Sequence, residues 1–363
     1  RGNSGTMVKL NILRQSPKGA TTFTVTLKRS KVTLEDEATQ VTFVNVKVGE
    51  HKLKLANLLL PSFYGDSELK KRSCYDDMKK ALKKITDAKA DGVMMDFSRN
   101  GGGRLEEAVR IAGLFFKSGN VVATKDSRKR IQKLADEDPE AQYSGPLVIL
   151  TSRLSASAAE IVAGALKDYK RAVIVGADHT YGKGCVQAVL PLPSIPGAIK
   201  VTTGLFFIPG GNSTQHRGVE GDIVLPSVLA TDDLGEKGLD NSLRPQSIPA
   251  FLSPEVNDPT APDAWMPVTQ AEIEQLRSAS EKRVAKNKKF DEIKKELQEL
   301  NENKGVVNLA EFRQKSMEHK KKEDKDEKKS AKQKIKEHDE PQVNEAIDVL
   351  TDFIAIRKGW NRE

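Results

Sequence analysis

This 363-residue sequence has few of the residues that mark several common classes of protein. It contains two cysteines, Cys74 and Cys185, which allow at most one disulfide, and aromatic residues make up only 5% of it. No apolar run approaches the roughly eighteen residues that a membrane-spanning helix needs. A disulfide-rich framework and a membrane-spanning helix are therefore excluded.

Charged residues, in contrast, are abundant and of both signs. The 59 basic residues are offset by 51 acidic ones, which gives a net charge of +8 and a pI near 9.2. Because the two signs are interleaved along the chain, the pattern favours solvated helical surfaces over a nucleic-acid-binding surface. The length is enough for about two domains.

The most informative segment is residues 152–187. The run PLVILTS predicts a buried parallel strand, SAAEIVAGALKDY a packed helix, and AVIVG the next strand. This βαβ unit places Ser157 at a strand-to-helix turn, where functional sites of such sheets gather. Ser157 and Glu160 also match a capping box, so an N-cap role alone is an alternative. Lys183 follows the second strand between two glycines, and a neutral lysine can remove the proton of a serine hydroxyl.

Two other classes of site use residue types that occur in this segment. A Walker A loop requires four residues between its glycines, but five separate Gly176 from Gly182, and Gly184 stands where Ser or Thr would hold magnesium. A Ser-His-Asp hydrolase would need a histidine, and of the five in the chain only His179 and His216 are plausible neighbours. The G-x-S-x-G elbow of that class is missing, so the sequence favours a lysine base.

The segment SASAAE, followed by Asp168 and then by GKGCVQ, resembles the C-terminal processing, or tail-specific, serine proteases. The resemblance implies that Ser157 is the nucleophile, Lys183 the general base, and Gln187 the group that orients the lysine. Asp168 matches a functionally important aspartate of the bacterial tail-specific branch. Its place, about 16 Å along the helix from Ser157, indicates a role in holding the geometry of the site.

The resemblance extends to both sides of this segment. GVMMDFSRNGGGRLEEAVRIAGLF (92–115) looks like the family's strand, glycine turn and helix, and STQHRGVEGDIVLP (213–226) resembles a later strand, with Gly221 replacing a proline. Family resemblance identifies the amides of Gly103 and Ala158 as oxyanion donors, which suits a glycine turn beside a helix N-terminus. Without the family, a phosphate-binding loop or tight packing would explain the glycines equally well.

The segment also departs from the family pattern in two places. ADHTYGK is one residue longer than expected before the lysine, and Cys185 stands where the family usually has threonine.

The alternation of strands and helices predicts an α/β fold, and the resemblance implies a ClpP/crotonase-like serine protease core. We expect this core in residues 31–250. Residues 1–30 resemble the closing strands of a PDZ domain, so we expect the chain to be a fragment of a longer protein. A Pro-rich linker and amphipathic helices predict a helical C-terminal domain over 251–363 that packs on the core.

The function implied by the resemblance is that of an ATP-independent serine endopeptidase that degrades or processes proteins selected by their C-terminal tails. It implies no metal and no other cofactor. Its partners would be protein substrates bound by their C-termini and an adaptor lipoprotein, and its location the periplasm of a Gram-negative bacterium. The alternative is a non-hydrolytic crotonase-like binding module, which the intact Ser157, Lys183 and Gln187 disfavour.

Overall fold

A computed structural model describes residues 2–16, 19–30, 38–65, 72–193, 197–231, 233–302 and 331–360. The chain divides into two compact units, one formed by Arg1–Asp36 with Glu299–Asp339 and the other by Glu37–Gln298 with Glu340–Glu363. The boundary predicted at residue 31 and part of the predicted helical domain, residues 303–330, lie outside the described residues.

The first unit contains an antiparallel pair of strands, β1 (Met7–Ser16) and β2 (Gly19–Lys28). Their register pairs Met7 with Lys28 at one end and Ser16 with Gly19 at the other. The alternating sequence TFTVTLK (22–28) lies in β2, as expected of a strand.

A six-stranded sheet forms the centre of the second unit. Its order is β12-β9-β8-β5-β4-β3, with β3 antiparallel to β4 and the remaining neighbours parallel. Every residue of three strands is buried, as expected of parallel strands covered on both faces. The strands are β3 (Gln40–Val48), β4 (His51–Leu59), β5 (Gly92–Asp96), β8 (Leu147–Thr151), β9 (Val173–Gly176) and β12 (Ile223–Val224).

Three helices cover one face of this sheet: α1 (Cys74–Asp87), α2 (Leu105–Gly113) and α3 (Ala158–Asp168). Helix α1 begins where Ser73 accepts a hydrogen bond from the Asp76 amide, and its buried residues recur at helical spacing. All three helices contribute to one apolar core with Ala56 and Leu58 of β4. The predicted α/β fold is confirmed, with α3 joining parallel strands β8 and β9.

The opposite face of the sheet packs against helices from the C-terminal part of the chain. Side chains of Leu350 and Ile354 come so close to Gly92 on β5 that a Cβ there would lie 3.0 and 2.8 Å from them. Arg283 forms ion pairs with Glu345 and Asp352 at 2.7 and 2.6 Å. The helices are α4 (Gln270–Val284), α5 (Lys288–Glu302) and α6 (Ala331–Lys358).

A second, four-stranded antiparallel sheet has the order β10-β11-β6-β7, so β10 and β7 are its edge strands. Its strands are β6 (Gly119–Asp126), β7 (Ile131–Asp136), β10 (Cys185–Pro191) and β11 (Ala198–Phe207). Across the described ranges, no helix combines the length and the apolar character needed to cross a membrane.

Candidate active site

Ser157 lies between β8 and the first residue of α3, at the carboxyl end of the parallel strands. Its φ of 57° and ψ of −113° fall in a region that L-residues rarely adopt, at a cost of about 1–3 kcal/mol. Gly102 packs against it, since a Cβ on Gly102 would lie 2.8 Å from Ser157 Cβ. A strained serine is therefore held at the turn where the sequence predicts the nucleophile.

The two neighbouring serines are used differently. Ser155 donates its hydroxyl to the Phe97 carbonyl at 2.8 Å and accepts from the Ser152 amide at 2.9 Å. Ser152 donates to the Ser98 carbonyl. Both hydroxyls donate to backbone carbonyls of the segment after β5 and so connect the turn after β8 to that segment.

Glu160 joins the serine turn to the lysine loop. Its side chain is fully buried, and its Oε2 accepts from the amides of Ser157 (2.7 Å) and Lys183 (2.9 Å). Its Oε1 accepts from Thr180 Oγ1 (2.6 Å) and the Gly182 amide (2.7 Å). Burial raises the pKa of Glu160 to about 7 against the lowering effect of these hydrogen bonds. The main chains of Ser157 and Lys183 thus meet at one carboxylate oxygen.

The sequence pattern identified Glu160 only as the partner in a capping box. The Glu160 half of that box is present, because its carboxylate accepts from the Ser157 amide. The contacts to the loop more than twenty residues away carry no local sequence signal. In the sequence, the contact of Glu160 with both segments is indicated only by its position as the last residue of SASAAE.

The loop that carries Lys183 is held on its other side by residues 213–216. The Lys183 carbonyl accepts from Thr214 Oγ1 at 3.2 Å, and the Gly184 amide donates to Gln215 Oε1 at 2.8 Å. Gly182 has a φ of 86°, and a Cβ there would lie 3.0 Å from the His216 backbone. The backbone of the lysine is therefore bound at both its N–H and its C=O.

The side chain of Lys183 is half-buried, and its Nζ donates to Gln187 Oε1 at 3.0 Å. Within the described ranges, no hydrogen bond joins this Nζ to Ser157 Oγ. Catalytic hydrogen bonds are often long or unformed without substrate, so the separation does not conflict with a role as base. The structure brings the Lys183 and Gln187 side chains into direct contact, and Glu160 connects the Lys183 backbone to that of Ser157.

The glycine turn after β5 lies beside Ser157. Phe63 pairs with Gly103, donating its amide to the Gly102 carbonyl and accepting from the Arg104 amide, both at 2.9 Å. A Cβ on Gly103 would lie 2.3 Å from the Phe63 carbonyl oxygen, so only glycine fits. Among the described residues, the amides of Gly103 and Ala158 donate to no partner. Both amides are available to a bound oxyanion.

Asp168 lies at the far end of α3 from Ser157. Its Oδ2 accepts from the Gly210 amide at 2.7 Å, and burial raises its pKa. This contact ties the end of the helix to the turn that follows β11. The structure therefore does not bring Asp168 to the serine and lysine.

Neither candidate histidine contacts the serine. His179 Nδ1 lies 2.6 Å from the Thr180 carbonyl oxygen, and His216 Nε2 lies 2.8 Å from Ser242 Oγ. In the part of the chain that the structure describes, no three His, Cys, Asp or Glu side chains are grouped as metal ligands would be. Both cysteines are buried and unpaired, and burial raises the pKa of the Cys185 thiol.

The site combines a serine at a strained strand-to-helix turn, two amides without a partner among the described residues, and a held lysine. These are features that a serine hydrolase requires. Residues 54–225 match the model of peptidase family S41.

Curated proteins with peptidase names are similar to parts of the same chain. The chain is 35% identical over 309 residues to the tail-specific protease of Haemophilus influenzae, covering 83% of this chain and 41% of the relative. It is 37% identical over 164 residues to the carboxy-terminal-processing protease of Bartonella bacilliformis, covering 43% and 36%. The chain thus spans less than half the length of these two relatives.

Among solved structures, the photosystem II D1 C-terminal processing protease aligns with a TM-score of 0.46 and 27% identity, covering 64% of this chain and 62% of that one.

Proposed function

We propose that this chain is a serine endopeptidase in which Ser157 is the nucleophile and Lys183 the general base. The observation that carries the proposal is the shared contact of the Ser157 and Lys183 amides with one oxygen of the buried Glu160. Precise mutual placement of nucleophile and base is what proximity catalysis requires. The glycine spacing around Lys183 does not fit a nucleotide loop, which supports cleavage without ATP.

In the proposed reaction, Ser157 Oγ attacks the carbonyl carbon of the scissile peptide while neutral Lys183 takes the hydroxyl proton. The amides of Gly103 and Ala158 stabilise the negative oxygen of the tetrahedral intermediate. Lys183 then gives its proton to the departing amine, and the acyl-enzyme forms. Water, deprotonated by the same lysine, releases the acid and restores the serine.

Two further residues have supporting roles. Gln187 orients Lys183 by accepting from its Nζ, which limits the rotamers of the long side chain. Asp168 is a positioning residue that fastens α3, the helix that begins at the nucleophile, to the turn at Gly210. Neither the Gln187 nor the Asp168 side chain exchanges a proton with the substrate in the proposed reaction.

The names of the relatives refer to tails and carboxyl termini, and we propose that this chain also acts on proteins selected by their C-termini. Residues 1–30, which include the β1–β2 pair, would be the end of a PDZ domain, a module that captures terminal carboxylates through backbone amides. Residues 31–250 would form a ClpP/crotonase-like core and 251–363 a helical domain. An adaptor lipoprotein and a periplasmic location complete the proposal. A non-hydrolytic binding module is not favoured.

The test is hydrolysis of fluorescein-labelled β-casein, an unfolded protein, without added nucleotide. Ser157→Ala should abolish cleavage while the thermal unfolding curve changes little, since the loss is one hydroxyl at a helix start, about 1 kcal/mol. Ser127→Ala, an exposed serine in the turn after β6, is the matched control and should be fully active. Equal activity of Ser157→Ala and the unaltered chain would refute the nucleophile assignment.

A further inference from the structure

Strand β3 is an edge of the six-stranded sheet, and among the described residues it pairs with β4 alone. The Lys54 carbonyl accepts from the Asp91 amide at 2.8 Å, and the Leu60 amide donates toward β5 at 3.3 Å. Even-numbered residues along β4 therefore bond to the β5 side, and odd-numbered ones bond to β3, because both backbone groups of a strand residue point to the same side. In the β3–β4 register, odd-numbered residues of β4 lie opposite even-numbered residues of β3. The backbone groups that point away from the sheet are therefore those of Val41, Phe43, Asn45 and Lys47.

The lysine group, which consists of Lys47, Lys52, Lys80 and Lys84, lies beside this edge on the face of the sheet that α1 covers. Phe43 packs on that face, and Lys84 Nζ lies 6.0 Å from the centre of its ring. Lys80 is one helical turn before Lys84. Lys47 projects from the Phe43 side of β3, directly opposite Lys52 of β4. None of the ion pairs formed among the described residues includes a member of the lysine group.

The charge of the lysine group selects what can pair with this edge. Like charges directly opposite each other, as at Lys47 and Lys52, destabilise a strand pair. Lysines at a free edge also repel another copy of the same edge. A second copy that paired through β3 about a twofold axis would bring both lysine groups to one face. The unbalanced charge therefore disfavours a second copy and favours a strand that carries carboxylates.

We infer that β3 binds an extended acidic segment of a partner protein as an added strand, which pairs with the outward backbone groups. Residues of the segment that lie opposite the odd-numbered residues of β3 place their side chains on the face of the lysine group, where carboxylates meet ammonium groups. The residues between them fall on the other face, beside Val44, which is 39% exposed. The matching segment thus alternates acidic and apolar residues. The inference goes beyond the proposed peptidase activity and does not depend on it.

The test measures affinity by fluorescence anisotropy for two labelled peptides of the length of β3. One alternates glutamate with valine, and the other alternates lysine with valine. Each chain tested carries Ser157→Ala, and mass spectrometry checks that the probe stays intact. The glutamate peptide should bind at least about tenfold more tightly. Its affinity should fall as salt is added, because exposed ion pairs are screened.

Charge reversal in the lysine group tests the ionic part of the inference. Lys47→Glu with Lys84→Glu should lower the affinity for the glutamate peptide at least about tenfold and raise that for the lysine peptide, because each attraction becomes a repulsion. Lys47→Glu also removes a like-charge pair across the strands, so the fold is retained. Lys79→Glu is the matched control. Lys79 is exposed one turn after Tyr75, which contacts Arg110 of α2, so it lies on the other side of α1 and its replacement should leave both affinities unchanged.

Asn45→Pro tests the backbone part of the inference. The Asn45 N–H points outward, so proline removes a donor that the sheet does not use, and edge strands tolerate proline at such a position. The variant should lose the binding that Asn45→Ala retains. If Asn45→Pro lowers the melting temperature, the lysine variants decide by the same measurement.

Several results would overturn the inference. Equal affinity for the two peptides would do so, as would an unaltered affinity in the lysine or proline variants or an equal loss in Lys79→Glu. A dimer in sedimentation that Asn45→Pro dissociates would assign the edge to a second copy instead. Binding of phosphatidylglycerol vesicles through the same lysines, without binding of the glutamate peptide, would assign the lysine group to a membrane surface.

Discussion

Replacing Glu160 by glutamine tests the central contact of the site. The glutamate accepts four hydrogen bonds, two at each oxygen, from the Ser157, Gly182 and Lys183 amides and the Thr180 hydroxyl. A glutamine keeps one oxygen, and its NH2 group would face two donors in the position of the other. Either orientation therefore breaks the contact with Thr180 and Gly182 or the contact with Ser157 and Lys183.

The magnitude of the effect on activity follows from geometry. A displacement of about 1 Å between reacting groups can lower the rate about 100-fold, and we expect a loss of this order in kcat/KM for Glu160→Gln. Protonation of Glu160 has the same effect, because a proton on either oxygen also opposes a donor. The activity of the unaltered chain should therefore fall as the pH drops below about 7, the pKa of Glu160.

Protonation of Glu160, which should lower activity, should raise the free energy of unfolding. Burial raises the pKa of Glu160 from 4.5 to about 7, so the folded chain holds this proton more tightly than the unfolded chain. The resulting stabilisation is complete below pH 4.5 and is lost as the pH rises through 7, about 3 kcal/mol in all. Glutamine stays neutral, so the variant should gain stability relative to the unaltered chain as the pH rises over this range.

The assay measures β-casein cleavage and urea unfolding from pH 5 to 8.5. Glu107→Gln is the matched control, a buried glutamate of α2 that accepts from the Tyr75 amide and pairs with Arg110 away from Ser157. It should lose stability and keep its activity. A Glu160→Gln variant with near-normal activity and the unaltered pH profile would refute the bridging role.

The remaining predictions concern the base and the glycine turn. Lys183→Ala should abolish cleavage, and so should Lys183→Arg, because a guanidinium stays protonated. His179→Ala should remain active. An inactive His179→Ala together with an active Lys183→Ala would support a Ser-His mechanism instead. Gly102 has a φ of 98°, and a Cβ there would lie 2.7 Å from the Ala156 carbonyl oxygen, so Gly102→Ala should lower activity at least about tenfold. Gly101→Ala is the control and should be neutral, because a Cβ at that position meets nothing within 4 Å. Equal rates for the two variants would contradict the packing of Gly102 on Ser157.

Local patterns predicted the elements that have a buried face. The run 146–152 contains β8 (Leu147–Thr151), and AVIVG contains β9 (Val173–Gly176), because continuous branched apolar residues are typical of doubly covered strands. The buried residues of α1 (Cys74–Asp87) likewise recur at the amphipathic spacing of a helix, which is visible in the sequence. Strand β7 was not predicted, since Ile131–Asp136 is mostly exposed and its pattern has no consistent buried side.

Residues for the proposed chemistry could be selected from the sequence because serine, lysine and glycine occur there in an unusual local order. The residues that hold these groups in place could not be selected from the sequence, because their role depends on contacts between distant segments. Thr214 and Gln215 bind the lysine loop from about thirty residues away in the sequence. Their polar side chains are fully buried, and no periodic pattern in the sequence indicates this burial.

The contacts of Ser157 explain how the turn before α3 tolerates a strained serine. The cost of the Ser157 conformation, about 1–3 kcal/mol, is offset by the hydrogen bond from its amide to Glu160 and by close packing on Gly102. Because the carboxylate is also bound by the lysine loop, the strain at Ser157 cannot relax without moving Gly182 and Lys183. The buried Glu160 side chain therefore couples the conformation of Ser157, the proposed nucleophile, to the position of Lys183, the proposed base.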